Sequence, residues 1–236
     1  MFRTRNVAMM LLGIGLVFAQ DDKTVNLARG DEGSDWRKPF VPDEHTVVLY
    51  HFDEGAGNTA HDALGDPALT LRANRQALWG QRPGFGATAR FERRDDDANL
   101  LIGPTNNDKL HLRPCTQAWT IEAWVRYTGG GTTYGNICGT DDEGFGLPIG
   151  MRGGWNFLLS SGPKKNGIAP SGRFIGSHRR RGSDTSGLMW ANYAGGHFTG
   201  AEPALIIDNQ WHHVVWQFRY RDQTHYYFLD GKLIRK

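Results

Sequence analysis

Apolar positions fall into three regimes along the chain. Val7 to Ala19 form an apolar run free of charge, preceded by Arg3 and Arg5. Residues 20 to 44 are polar and show no period. From His45 onward, short β-branched and aromatic stretches alternate with turn residues, which is the pattern of antiparallel strands. "WTIEAWVRYT" (Trp119–Thr128) alternates most cleanly. Ile121, Ala123 and Val125 share one face, and Thr120, Glu122, Trp124 and Arg126 share the other. "QWHHVVWQFRY" (Gln210–Tyr220) places Val214, Trp216, Phe218 and Tyr220 on one side. "THYYFLDGKLI" (Thr224–Ile234) carries Asp230-Gly231, a two-residue hairpin signal.

Further strands are expected at His45–Asp53, Pro67–Ala73, Ala87–Glu92 and Ala98–Gly103, and in "GNICGT", "GFGLPIG" and "WNFLLSS". "EGAGN" breaks the first of these. Residues 161–203 are expected to hold two or three short strands on long loops. No long amphipathic helix pattern occurs. The fold class that follows is all-β, an antiparallel sandwich or jelly roll.

Composition agrees with the turn-rich reading. The chain has 236 residues, 31 glycines and 8 tryptophans, enough for one sandwich-sized domain with flanking segments. The basic start, the short apolar run and Val17-Phe18-Ala19 read as a secretory signal peptide over residues 1–19, cleaved after Ala19. Residues 20–44 are an extended lead-in, with Trp36 and Phe40 placed to dock on the sandwich. The domain itself is residues 45–236.

Removing residues 1–19 takes away two arginines and no acid, so the formal charge falls from +2 to 0. That balance points away from nucleic acid, and no further run is long enough to span a membrane. The basic run "HRRRG" (His178–Gly182) reads as a solvated loop or hairpin rim. Export permits a disulfide, but Cys115 and Cys138 flank a predicted strand and its return, so a Cys115–Cys138 bridge is possible and not favoured.

Four stretches carry a resemblance. "VVLYHFDEGAGNTAHDALGDPALTL", "WTIEAWVR", "QWHHVVW" and "YYFLDGKLI" occur in this order between Val47 and Ile234. Together they resemble the laminin-G-like domain of the concanavalin A-like lectin/glucanase superfamily. The resemblance implies a two-sheet jelly-roll sandwich. It also implies two further strands after the Asp-Gly hairpin, the last returning beside the first strand. These are not present before Lys236, so the domain is expected to lack its C-terminal strands and to be a fragment of a longer polypeptide with further domains.

The fold hosts lectins, adhesion modules and glycosidases, so function must be argued from residues. No strand carries the paired carboxylates that glycoside hydrolysis needs, and no nucleophile elbow occurs. The chain is therefore expected to be non-catalytic. His212 and His213 are adjacent and so face opposite sides of a strand, which argues against a zinc pair.

Sugar binding needs aromatic platforms beside polar groups. Trp155, Asn156, Trp190, Asn192 and Tyr193 are the candidates, with Phe198 and His197 nearby. Calcium is a possible cofactor. Its candidate ligands are Asp141 and Asp142 in "TDDEG" and Asp95 and Asp97 in "RDDDAN", since calcium takes carboxylate and backbone oxygens from loops. The function expected is a secreted or cell-surface module that binds carbohydrate or an extracellular protein surface. Two alternatives are an accessory domain of a carbohydrate-active enzyme whose catalytic part lies elsewhere, and a structural adhesion module.

Overall fold

The computed structural model describes residues 7–19, 38–76, 78–94, 97–98, 101–103, 108–110, 118–127, 135–139, 154–160, 173–179, 208–222 and 224–235. These residues are mostly β-strand, with almost no helix. Fifteen strands run in chain order: β1 (Val7–Ala19), β2 (Thr46–Tyr50), β3 (Thr59–Ala60), β4 (Leu71–Ala73), β5 (Leu78–Arg82), β6 (Gly86–Arg94), β7 (Asp97–Ala98), β8 (Leu101–Ile102), β9 (Ala118–Tyr127), β10 (Gly135–Gly139), β11 (Gly154–Ser160), β12 (Arg173–Arg179), β13 (Trp211–Arg219), β14 (Thr224–Leu229) and β15 (Lys232–Arg235). No helix among the described residues is long and apolar enough to cross a membrane.

The largest sheet has the order β15-β14-β13-β9-β1-β6-β5, with β2 pairing β1 and β7 pairing β6. Two three-stranded sheets, β3-β4-β8 and β10-β11-β12, complete the fold. Every strand pairing described is antiparallel, from β9 on β13 to β11 on β12. One core cluster draws on all three sheets. Trp119, Ile121, Ala123, Val125, Val214, Trp216 and Phe218 are fully buried in it together with Ala60 of β3, Ile137 of β10 is buried there too, and the partly buried Leu71 of β4 and Leu101 of β8 pack against it. The alternation expected for Trp119–Thr128 therefore holds on its core face. Tyr220, expected on the apolar side of its strand, is exposed in the turn after β13.

Several elements differ from expectation for local reasons. Pro67–Ala73 is not one strand. Asp66 caps a 3-10 turn at Pro67–Leu69 by accepting the Ala68 N–H at 2.9 Å, and only Leu71–Ala73 is extended. Proline at the first turn position and an acidic cap ahead of it favour that turn over a strand. Of the expected strand Ala98–Gly103, Ala98 ends β7 and Leu101–Ile102 form β8, and residues 99–100 lie outside the described residues. β5 was not expected, because "LWGQR" lacks alternation; it pairs with β6 from Leu78↔Arg90 to Arg82↔Gly86. Of the run read as a loop or hairpin rim, His178 and Arg179 end β12, and residues 180–182 lie outside the described residues.

The apolar run read as an export signal is β1. It pairs with β9 from Met9↔Tyr127 to Ala19↔Ala118, with β6 from Val7↔Arg93 to Leu11↔Ala89, and with β2 from Ile14↔Tyr50 to Val17↔Thr46. It is the strand that joins β9 to β6.

Two backbone features set the turns. Phe52 is buried at φ 57°, a conformation that a bulky residue adopts only where packing holds it. Asp230 and Gly231 both have positive φ, 49° and 77°, as a primed two-residue hairpin turn requires.

Candidate functional site

β9 and β13 lie side by side in register, Trp211↔Arg126, His213↔Trp124, Val215↔Glu122 and Gln217↔Thr120. These eight residues project to the side opposite the core. The second face of Trp119–Thr128 was expected to be polar, yet Trp124 on it is 1 % exposed. It is covered by Arg82, the last residue of β5. The Arg82 guanidinium carbon lies 3.7 Å from the Phe85 ring centroid, 4.0 Å from that of Trp124 and 5.2 Å from that of Trp211. Burial pulls the Arg82 pKa down to about 10.

His213 stands next to this stack. Its ring centroid is 5.2 Å from that of Trp124 and 5.6 Å from that of Phe40. Phe40 thus docks from the lead-in, as expected; Trp36 lies outside the described residues. The His213 Nε2 is 3.1 Å from Glu122 Oε2. A carboxylate only accepts, so Nε2 carries the hydrogen, and in the neutral ring Nδ1 is then an acceptor.

Buried polar atoms without a hydrogen-bond partner at this face include Arg82 Nη1, Trp211 Nε1, His213 Nδ1 and Gln217 Oε1. Such atoms are rare in folded proteins, and each costs about 1–3 kcal/mol when left without a partner. Here they gather at one surface, Arg82 from β5 and the other three from β13. They include donors (Arg82, Trp211) and acceptors (His213, Gln217). The same face carries Arg126, whose Nε donates to Asn209 O at 3.0 Å and Oδ1 at 2.9 Å. Val215, Tyr226 and Phe228 form a small apolar cluster beside it.

The two histidines lie on opposite sides of β13, as adjacency requires. His212 bridges two acids, with Nδ1 2.8 Å from Asp230 Oδ2 and Nε2 3.0 Å from Asp208 Oδ1. The hydrogen bond from Asp230 raises its pKa most; burial opposes this and Asp208 adds to it. With an acceptor on each nitrogen, the ring is an imidazolium that clamps a hairpin, not a metal ligand. Among the described residues no cluster of three or more His, Cys, Asp or Glu is placed to hold a metal.

The expected site residues are otherwise distributed. Trp155 and Asn156 lie on β11, paired with His178 and Ser177 of β12. Trp190, Asn192 and Tyr193 lie outside the described residues, as do Asp95, Asp141 and Asp142. Asp97 opens β7. Cys138 has a free thiol whose pKa burial pushes up, and Cys115 lies outside the described residues.

Sequence reasoning did not single out Arg82, Phe85, Trp211 or the Glu122–His213 pair as a site. The available signal was a tryptophan among charged neighbours in "TIEAWVR". Comparison of the chain with protein-family models, with curated proteins and with solved structures returns no match.

Proposed function

We propose that this chain is an extracytoplasmic, non-catalytic binding module of laminin-G-like, jelly-roll architecture, and that the face of β9 and β13 recognises carbohydrate. The observation that carries the reading is the convergence of aromatic rings with unpartnered buried polar atoms on one sheet face. Sugars bind by laying an apolar ring face on an aromatic side chain while hydroxyls meet fixed donors and acceptors. Trp211 is partly exposed and supplies both an aromatic plane and an indole N–H. His213 Nδ1 supplies an acceptor, and Glu122 a carboxylate already held in place.

The non-catalytic assignment rests on the sequence, in which no strand carries two carboxylates at glycosidase spacing. Glu122 has no second carboxylate beside it on its strand to act as nucleophile or as the base that activates water. Export rests on the basic start and apolar run of residues 1–19.

The test is a glycan array followed by calorimetry with the full chain. Trp211→Ala is expected to weaken the best glycan about tenfold, the value of one lost aromatic contact. Trp155→Ala, on a separate sheet, serves as the comparison. If no glycan is retained, or if Trp155→Ala abolishes binding and Trp211→Ala does not, this face is not the site.

A further inference from the structure

We infer that the glycan bound at this face is acidic, its oxyanion seated between Arg82 and Arg126. The inference rests on the preceding reading of the face and adds the charge of its ligand.

Arg82 is the first reason. A guanidinium drawn out of water normally meets a carboxylate. Among the described residues Arg82 meets none. Its neighbours are Phe85, Trp124 and Trp211, and its buried Nη1 has no acceptor. Ring faces attract the cation but offer no oxygen to its N–H groups. The stack fixes the plane of the guanidinium, which suits it to a planar, two-oxygen partner.

Arg126 is the second. It is the cross-strand partner of Trp211, the third ring under Arg82. Its Nε is committed to Asn209 O and Oδ1, both neutral, so its position is fixed while its charge is not cancelled. No ion pair to a carboxylate engages it among the described residues. Trp211 Nε1, also without a partner, adds a neutral donor at the same end.

The face is polarised along β9. Arg126 lies at one end, Trp124 in the middle and Glu122 at the other, two residues apart in each step. Glu122 is tied to His213, whose buried Nδ1 has no hydrogen-bond partner. An acidic sugar therefore has one favoured direction. Its oxyanion lies toward Arg82 and Arg126, and its hydroxyls lie toward His213 and Glu122.

The oxyanion can be a carboxylate or a sulfate, and the experiment separates them. The full chain is titrated with an oligogalacturonate, with its carboxyl-reduced neutral counterpart, and with a sulfated neutral oligosaccharide. The oligogalacturonate or the sulfated sugar is expected to bind about tenfold or more tightly than the neutral one, and whichever does so identifies the oxyanion. Raising salt should erode that advantage and leave neutral binding largely as it was. Arg82→Met keeps an unbranched apolar stem over the rings and should bring the acidic-to-neutral ratio to about one. Should that variant fail to fold, Arg126→Gln and the salt titration of the unmodified chain carry the same test. Equal binding of acidic and neutral sugars at low salt overturns the inference and leaves the glycan-binding reading standing. Failure of every sugar to bind removes both.

Discussion

Asp230 holds His212 through one carboxylate oxygen and the next peptide through the other. Oδ2 lies 2.8 Å from His212 Nδ1, and Oδ1 accepts the His213 N–H at 2.9 Å. The residue that makes the hairpin turn between β14 and β15 thereby pins the start of β13. Asp230→Ala is expected to cost about 2 kcal/mol, since it removes two hydrogen bonds that involve a charged group and leaves a positive-φ position without its preferred residue. Denaturant unfolding measures it.

The clamp also sets a pH dependence. The His212 pKa is raised by Asp230 first, with burial opposing and Asp208 assisting. Its contribution is therefore complete below the ordinary histidine value of about 6.5 and is lost as pH rises through the raised value. Burial pushes Asp208 and Asp230 up, but hydrogen bonds from the Gln210 N–H and His212, and from His212 and the His213 N–H, hold each below its ordinary range. Their contribution is present above the ordinary carboxylate value of about 4 and fades as pH falls through the lowered values. The difference in melting temperature between the natural chain and His212→Asn should be largest between roughly pH 4 and 6.5 and shrink at higher pH. A difference that stays level from pH 5 to 9 would show that the histidine is not charged in the fold.

Trp119 is expected to be the most costly single truncation in the core. It is fully buried, meets Trp216 edge-on with centroids 4.6 Å apart and stacks on Phe218 at 5.8 Å. Trp216 in turn donates its Nε1–H to His225 Nδ1 at 3.1 Å, so its ring cannot simply move into the space. Trp119→Ala should cost about 3–5 kcal/mol in equilibrium unfolding. A cost under 1 kcal/mol would mean that the site collapses freely.

What could be read in the sequence follows from how local the signal is. β9, β13 and the β14–β15 hairpin are legible because alternation and an Asp-Gly turn are properties of a few consecutive residues. Pro67–Leu69 misleads because β-prone "ALTL" follows a proline and a capping acid that impose a turn first. β1 cannot be told from an export signal, since hydropathy alone does not separate a buried strand from an apolar leader. The face of β9 and β13 is half legible. Alternation puts Glu122, Trp124 and Arg126 together, but nothing in "QRPGF" states that Arg82 will lie on Trp124. That contact depends on β5, separated from β9 by β1 and β6 in the same sheet, bringing its last residue across to Trp124. The residues chosen as sugar platforms, Trp155, Trp190 and Tyr193, were chosen by composition, which carries no information on facing.

Asp62 ties β2 to the segment that follows β3. Its Oδ1 accepts the Leu49 N–H at 2.9 Å, and the Ala63 N–H donates back to Leu49 O at 2.7 Å. Asp62 is 5 % exposed and Leu49 1 %. Asp62→Ala leaves the buried Leu49 N–H without an acceptor and should cost about 1–3 kcal/mol. Asp62→Asn keeps an acceptor of the same shape and should recover most of that. Equal losses in the two variants would place the effect elsewhere than in this hydrogen bond.

β1 makes the last prediction the most consequential. It forms the ladder between β9 and β6 and also pairs β2. The core residues Trp119, Ile121, Ala123 and Val125 lie along the β9 side of that ladder. Cleavage after Ala19 during export would remove the whole strand. The unpaired backbone groups of β9, β6 and β2 would then be open beside apolar core, and open strand edges of this kind recruit further strands. Residues 20–236 alone are therefore expected to associate, or to melt at lower temperature than the full chain, in size-exclusion chromatography with light scattering and in thermal unfolding. A monomeric 20–236 that melts like the full chain would show that β1 is dispensable to the sheet. Mass spectrometry of the protein purified from expressing cells and from their medium distinguishes a chain that keeps residues 1–19 from one cleaved after Ala19.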